Sequence, residues 1–211
     1  MKNLIHNILT FPIQIIGRIV DYLFHKGCDF SKWVEMDDIG FCDEKGHKYQ
    51  PFFLPIDRII RNVCNISPND SIIDIGCGKG YAMYRMSKLA FGYIGGYDLN
   101  PELVETANKN FALLGLDNCH AICADAEYYN DYDMYNYFFM FNSVPSTVFS
   151  YTLKNIEDSI KRTPRNVMLI LANPEQDVIM KDSKVFSLIH QKKGIISWFD
   201  VYFYKYSLST K

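Results

Sequence analysis

Polar residues recur every three or four positions at the start of the chain, at Asn3, Asn7, Thr10, Gln14, Arg18, Asp21 and His25, with mostly aliphatic residues between them. That period is helical and leaves a wide apolar face. Pro12 interrupts it, so the pattern predicts a short helix, a break near Phe11, and a second helix that starts at Pro12 and ends at Lys26 and Gly27. From about residue 50, short apolar runs alternate with helical stretches. Helices are predicted over 55–65, from a Gly-rich turn to Ala90, over 101–114 with Pro101 at the first position after Asn100, and over 146–161. Strands are predicted over 71–75, 93–98, 119–124, 136–141 and 166–172. The 136–141 run is too apolar to be half-solvated, as expected of a sheet covered on both faces. The runs 185–190 and 195–206, joined by Gln191-Lys192-Lys193-Gly194, predict an antiparallel hairpin. The order is a helix, five β/α units and a hairpin. Such alternation predicts an α/β fold, a doubly wound and mostly parallel sheet over residues 46–211, preceded by an amphipathic extension over 1–45.

His6, Gln14, Arg18 and Asp21 break the apolar stretch that a membrane-spanning helix needs. One weak basic residue, Lys2, and no small-residue cleavage site make a poor signal peptide. Three readings of residues 1–26 stay open: packing on the protein's own body or in a dimer, association with a membrane surface through the apolar face and the cations Lys2, Arg18 and Lys26, or docking on a partner. Asp21 weighs against the membrane.

Composition narrows the class. The chain has 211 residues, 48% hydrophobic and 22% charged, which suits one folded domain and excludes disorder. A net charge of −2 argues against a broad basic surface for nucleic acid. Six cysteines without a CxxC pair do not form a disulfide framework, so reduced thiols in a cytoplasmic protein are expected. Tyr and Phe are unusually abundant, 15 of each against 2 Trp.

Candidate chemistry begins at Asp74-Ile75-Gly76-Cys77-Gly78-Lys79-Gly80, after one strand and before a helix. Its glycines let backbone approach a ligand and turn tightly into the helix. Asp98, ending the second strand, is placed to accept from ribose hydroxyls. Asp125, after the third, could accept from an amine such as adenine N6. A nicotinamide or flavin site would want Gly or Ala where Tyr81 stands. Asp74 suits a cationic, amine-bearing ligand such as S-adenosylmethionine better than a pyrophosphate.

These three motifs with the terminal hairpin, over residues 50–207, resemble the class I S-adenosylmethionine-dependent methyltransferases and imply their seven-stranded Rossmann-like sheet. More narrowly, the Gly-rich motif is similar to that of small bacterial methyltransferases of surface-polysaccharide gene clusters, distantly like the non-SET histone-lysine methyltransferases. Tyr49-Gln50-Pro51 matches a Tyr-x-Pro element of that group. The resemblance implies that Asp74, Gly76, Gly78 and Gly80 line the methionine part of the cofactor. Asp98 would bind the ribose with Leu99 on adenine, Asp125 and the Ala126 N–H would read adenine, and Tyr49 would close over it. Cys77 reads as a small buried side chain.

After the fourth strand, relatives often carry Asn-Pro-Pro or Asn-Pro-Phe, which holds an amine nucleophile. This chain has Asn142-Ser143-Val144-Pro145, a departure that puts amine methylation in doubt. The expected acceptor is a hydroxyl of a saccharide or small metabolite, with no nucleic-acid partner. Protein lysine methylation, or a catalytically silent cofactor-binding subunit, are the alternatives. Asn142 and His47 are the catalytic candidates, with Asp37, Asp38 and Asp125 as further bases, and His47 reads equally well as a surface residue. Asn173-Pro174 is a second substrate-facing pair or a plain turn. Cys119, His120 and Cys123 lie on a strand that sends His120 to the opposite face, so no metal site is expected. The five tyrosines of 127–141 read either as rings stacking on adenine or sugar or as ordinary packing. A cytoplasmic enzyme, peripheral at the inner membrane surface if residues 1–26 bind lipid, is the resulting expectation.

Overall fold

The computed structural model describes residue 19 and residues 22–32, 55–173, 177–194 and 200–208. The break at Pro12 and the candidates Asp37, Asp38, His47, Tyr49 and Pro174 lie outside the described residues.

Seven strands form one sheet: β1 (Ser71–Ile75), β2 (Tyr93–Asp98), β3 (Cys119–Cys123), β4 (Tyr137–Phe141), β5 (Val167–Ala172), β6 (Ser187–Lys192) and β7 (Val201–Tyr206). Their order is β3-β2-β1-β4-β5-β7-β6. The first five run parallel, and β7 enters antiparallel between β5 and β6. This is the doubly wound sheet with a terminal hairpin that the alternation predicts. Among the described residues the helices α1 (Ile56–Arg61), α2 (Tyr81–Met86), α3 (Pro101–Leu114), α4 (Ser146–Arg162) and α5 (Asp177–Lys181) accompany it.

Neighbouring strand residues feed opposite faces, because side chains alternate along a strand. Ile72, Ile94, Phe139 and Ile170 pack with Ile60, Met83 and Phe111 of α1–α3. Ile73, Tyr97, Phe138 and Leu169 pack with Phe149 and Ile156 of α4 on the other side. Asn100 begins α3 by accepting from the N–H groups of Glu102 and Leu103, at 2.8 and 3.2 Å. Pro101 follows at the first turn, and Gly115 closes the helix at φ 69°.

Several expected boundaries move. The helix after the Gly-rich turn stops at Met86 rather than Ala90, with Ser87 capping it. The first hairpin strand begins later than expected, at Ser187, and β6 runs through Lys192 into what reads as the turn; residues 195–199, where the second was expected to start, lie outside the described residues. The connection from β3 to β4 contains no helix, so the five β/α units are unequal. Cys119 is buried but Cys123 is exposed, because the sheet's cover ends with β3.

The tyrosine run of that connection is core. Tyr132 and Tyr135 are buried, and Tyr97 and Tyr132 share a hydroxyl hydrogen bond of 2.8 Å. Tyr129 lies 4.5 Å from Tyr97 and 4.9 Å from Tyr132, ring centre to ring centre. The ring of Tyr135 fills the space over Gly95, whose missing Cβ would fall 2.2 Å from its hydroxyl. Arg165 ties the loop down, donating to the carbonyls of Tyr132 and Tyr135 at 2.7 and 2.6 Å. Packing is therefore the role of Tyr129, Tyr132 and Tyr135, while Tyr128 stays exposed.

Candidate active site

The chain leaves β1 toward β2 and β3 on one side and returns through β4 on the other, so a crevice opens at the carboxyl ends of β1 and β4. The Gly-rich turn lies there. Gly76, Gly78 and Gly80 all hold positive φ, at 75°, 52° and 81°. The N–H groups of Gly76 and Cys77 both donate to the Tyr97 carbonyl at 2.9 Å, which fastens the turn to the end of β2.

Gly76 and Gly80 each leave room for a close neighbour, and Gly78 contributes a main-chain donor. A Cβ on Gly76 would lie 2.3 Å from the Cβ of Ser143. A Cβ on Gly80 would lie 2.4 Å from the Phe111 ring of α3. The Gly78 N–H donates 2.9 Å to Asp98 Oδ2. Cys77 is buried, and burial together with the nearby Asp98 and Asp74 raises its thiol well above the usual range.

Two carboxyls converge beside this turn. Asp98 is half-buried and accepts from the Gly78 and Asn100 N–H groups, at 2.9 and 3.0 Å. Burial raises its pKa, and those backbone donors partly offset the rise. Asp74 is buried within β1. Burial first, and the Asp98 charge second, push its carboxyl up to about 8. Neither carboxyl has a described Lys or Arg close enough to offset it. Lys79, the cation inside the motif, turns away. It is only 2% exposed and donates to Asp29 Oδ2 at 2.8 Å and to the Lys32 carbonyl at 2.7 Å.

The remaining predicted residues gather at the same edge. Leu99 is half-buried after Asp98. Asp125 is half-buried and caps its own turn by accepting from the Glu127 N–H at 3.0 Å. Ala126 is buried, its carbonyl accepting from Thr152 Oγ1 at 3.2 Å. Asn142 follows β4 at φ 39°, and Asn173 follows β5 at φ 52°. Two non-Gly residues in the left-handed region end adjacent strands, a placement that marks functional edges.

Four features escape sequence reasoning. Ser143 donates its hydroxyl to the Ile75 carbonyl, sealing β4 to β1 under Gly76. Asn100 is buried and keeps its Nδ2 donor without a partner, since its oxygen caps α3. Asn110 clamps the segment before the domain, accepting from the Asp29 N–H at 2.9 Å and donating to the carbonyls of Asp29 and Lys79 at 3.2 and 3.0 Å. The Lys79–Asp29 pair completes that clamp. Residues 81 positions apart leave no signal in a single sequence, whereas the capping pattern Asn100-Pro101 does announce a committed Asn oxygen.

A family model described as a methyltransferase domain matches residues 66–195. The chain belongs to that methyltransferase-domain family. Among curated proteins it is 30% identical over 78 residues to the aklanonic acid methyltransferase DauC of Streptomyces sp. (strain C5), 36% of each chain. It spans little more than a third of the length of the curated relatives it matches, or less. Magnesium protoporphyrin IX methyltransferase (ChlM) from Synechocystis PCC 6803, solved with bound S-adenosylmethionine, has the same fold. The match has a TM-score of 0.55 and 16% identity, and covers 72% of this chain and 76% of that one. An RNA methyltransferase from Salinibacter ruber, in complex with S-adenosyl-L-homocysteine, matches with a TM-score of 0.54 and 13% identity over 76% of this chain and 96% of that one.

The residues present fit S-adenosylmethionine as cofactor. Its sulfonium and ammonium are cationic, and the crevice offers two carboxyls with no described cation to balance them. The unpartnered Asn100 donor stands next to Asp98, where a polar ligand atom could satisfy it.

Proposed function

We propose that the enzyme methylates a hydroxyl of a saccharide or small metabolite. The observation that carries this reading is Ser143. It occupies the position where an amine-holding Asn-Pro-Pro motif would place proline, and it is committed to the Ile75 carbonyl and the face of Gly76. The net charge of −2 also disfavours a nucleic-acid acceptor. The names of DauC and ChlM concern small molecules, and this supports the same class for the present chain.

In this reading Asp74, Gly76 and Gly78 hold the methionine part, Asp98 the ribose, and Leu99, Asp125 and Ala126 the adenine. Gly80 acts through α2, keeping the turn seated on Phe111. Tyr49 closes the pocket. Bound S-adenosylmethionine supplies the methyl group as an electrophile. Asn142, held at positive φ at the end of β4, orients the acceptor oxygen in line with the methyl carbon. His47 is the candidate base that would take the proton given up by the acceptor hydroxyl.

Titration with S-adenosyl-L-homocysteine tests the cofactor, and Asp98→Ala should weaken that binding about a hundredfold or more, since a hydrogen bond to a charged group contributes about 1.5–3 kcal/mol and a buried partner is left unpaired. Methyl transfer is then followed by mass spectrometry against saccharide, small-hydroxyl and lysine-peptide acceptors. A product found only on peptide lysines would replace the hydroxyl reading with the lysine one.

A further inference from the structure

We infer that Lys79 is a positioning residue for the cofactor: its ammonium ties a strap formed by residues 25–32 to the Gly-rich turn, so that strap docking and cofactor affinity are coupled. This rests on the proposed cofactor reading of the crevice. Lys79 stands between Gly78 and Gly80, both at positive φ, 52° and 81°. Glycine adopts such backbone shapes without a strong preference among them, so the turn is shaped by what holds it. Its first half is fastened through the Gly76 and Cys77 N–H groups to the Tyr97 carbonyl, and the Gly80 N–H closes it on the Cys77 carbonyl, all at 2.9 Å. The second half is held from outside at Lys79. The Lys79 carbonyl accepts from Asn110 Nδ2 at 3.0 Å, and the ammonium donates to Asp29 Oδ2 at 2.8 Å and to the Lys32 carbonyl at 2.7 Å. A cation this buried stays where its partners are, because charge out of water is costly unless paired. The next N–H group in the turn, that of Gly78, donates to Asp98, the ribose carboxyl of the proposed site. A shift of Lys79 therefore shifts the contact that aims Asp98.

The strap has an apolar anchor and a polar one. Phe30 is fully buried, its ring centre 5.4 Å from Tyr81 and 5.6 Å from Tyr84 of α2. His25 is buried against the same two rings, at 5.9 and 5.1 Å. These contacts seat the strap on the helix that the Gly-rich turn opens. Between them Asp29 reaches the turn itself. Its N–H donates to Asn110 Oδ1 at 2.9 Å and its carbonyl accepts from Asn110 Nδ2 at 3.2 Å, so one amide of α3 bridges the main chains of strap and turn. The Asp29 carboxylate adds the second bridge, to the Lys79 ammonium, and accepts from the Lys32 N–H at 3.2 Å. The turn that lines the crevice is thus held by the strap through a side chain and through a shared amide. A cofactor that favours this shape of the turn favours the docked strap, and reciprocity makes the two effects equal in size.

Hydrogen exchange of the full chain with and without saturating S-adenosyl-L-homocysteine, paired with calorimetric titration, tests this. The Cys28, Asp29 and Lys32 amides donate to the His25 carbonyl, Asn110 Oδ1 and Asp29 Oδ1, so they report strap docking. With the ligand bound they should exchange about tenfold more slowly, within the range usual for coupled sites. Lys79→Met keeps a buried unbranched side chain and removes the ammonium; Asp29→Asn keeps the shape of its partner and removes the charge. Each should weaken S-adenosyl-L-homocysteine about tenfold and abolish the ligand-linked slowing at Asp29. Melts of the unliganded variants check folding, and if Lys79→Met does not fold, the wild-type exchange and Asp29→Asn decide. A purely structural Lys79 would lower stability and leave the ligand's effect on the Asp29 amide intact. Ligand binding with unchanged exchange at all three amides overturns the inference alone, as does wild-type affinity in the folded variants. A wild-type chain that binds no S-adenosyl-L-homocysteine overturns the crevice reading and the inference with it.

Discussion

Replacing Asp74 by Asn removes a buried ionisable group while keeping its shape, and it separates stability from cofactor binding. The carboxyl ordinarily titrates near 3.8 and is pushed up to about 8 in the folded chain by burial and by Asp98. The folded state therefore holds this proton more tightly than the unfolded state. Stability is full below about pH 4 and declines as pH rises from there to about 8, because ionising the buried group costs the folded form. At pH 7 roughly three units of that window have been crossed, at about 1.4 kcal/mol each, so the upper bound is about 4 kcal/mol. We expect Asp74→Asn to gain about 2–4 kcal/mol at pH 7, raising Tm by about 5–15 °C for a domain of this size. The gain should vanish near pH 4. Binding should move the other way: the wild type should hold S-adenosyl-L-homocysteine, which keeps the ammonium, more tightly as pH rises toward 8, and the variant should bind weakly with a flatter profile. Thermal melts across pH 4–8, paired with calorimetric titration, read both. A variant no more stable than wild type at pH 7, or one whose gain is unchanged at pH 4, would refute the reasoning.

Two further outcomes rest on the packing. Asn110→Ala removes three hydrogen bonds that hold residues 28–32 to the Gly-rich turn, so hydrogen exchange at the Asp29 amide should speed about tenfold or more, as expected for loss of about 2 kcal/mol of local closure. Tyr97→Phe should cost about 1–2 kcal/mol by leaving the buried Tyr132 hydroxyl unpaired, and adding Tyr132→Phe should recover part of that loss, giving a measurable coupling in a double-mutant cycle of melts.

The fold was legible because its signals are local. Asn100-Pro101 with Gly115 brackets α3, and the unbroken apolar run in β4 announces a sheet covered on both faces. The crevice was legible as far as strand-end residues go, since Asp74, Asp98 and Asp125 each follow an apolar run. The tyrosine run was ambiguous for a physical reason: a ring stacking on a ligand and a ring filling the space over Gly95 have the same sequence. The length of α2 was also hidden, because nothing between Met86 and Ala90 breaks a helical pattern as sharply as proline would.

By itself the sequence determined the order of elements and the Gly-rich turn, because periodicity and glycine act over a few residues. Only the tertiary structure decided that Lys79 serves Asp29 rather than a ligand, that Ser143 closes the strand edge under Gly76, and that Tyr132 and Tyr135 are core. It alone buried Asp74 and brought Asp98 near it, which together raise the pKa of Asp74. Those outcomes depend on burial and on contacts between distant residues, and burial exists only once the chain has folded.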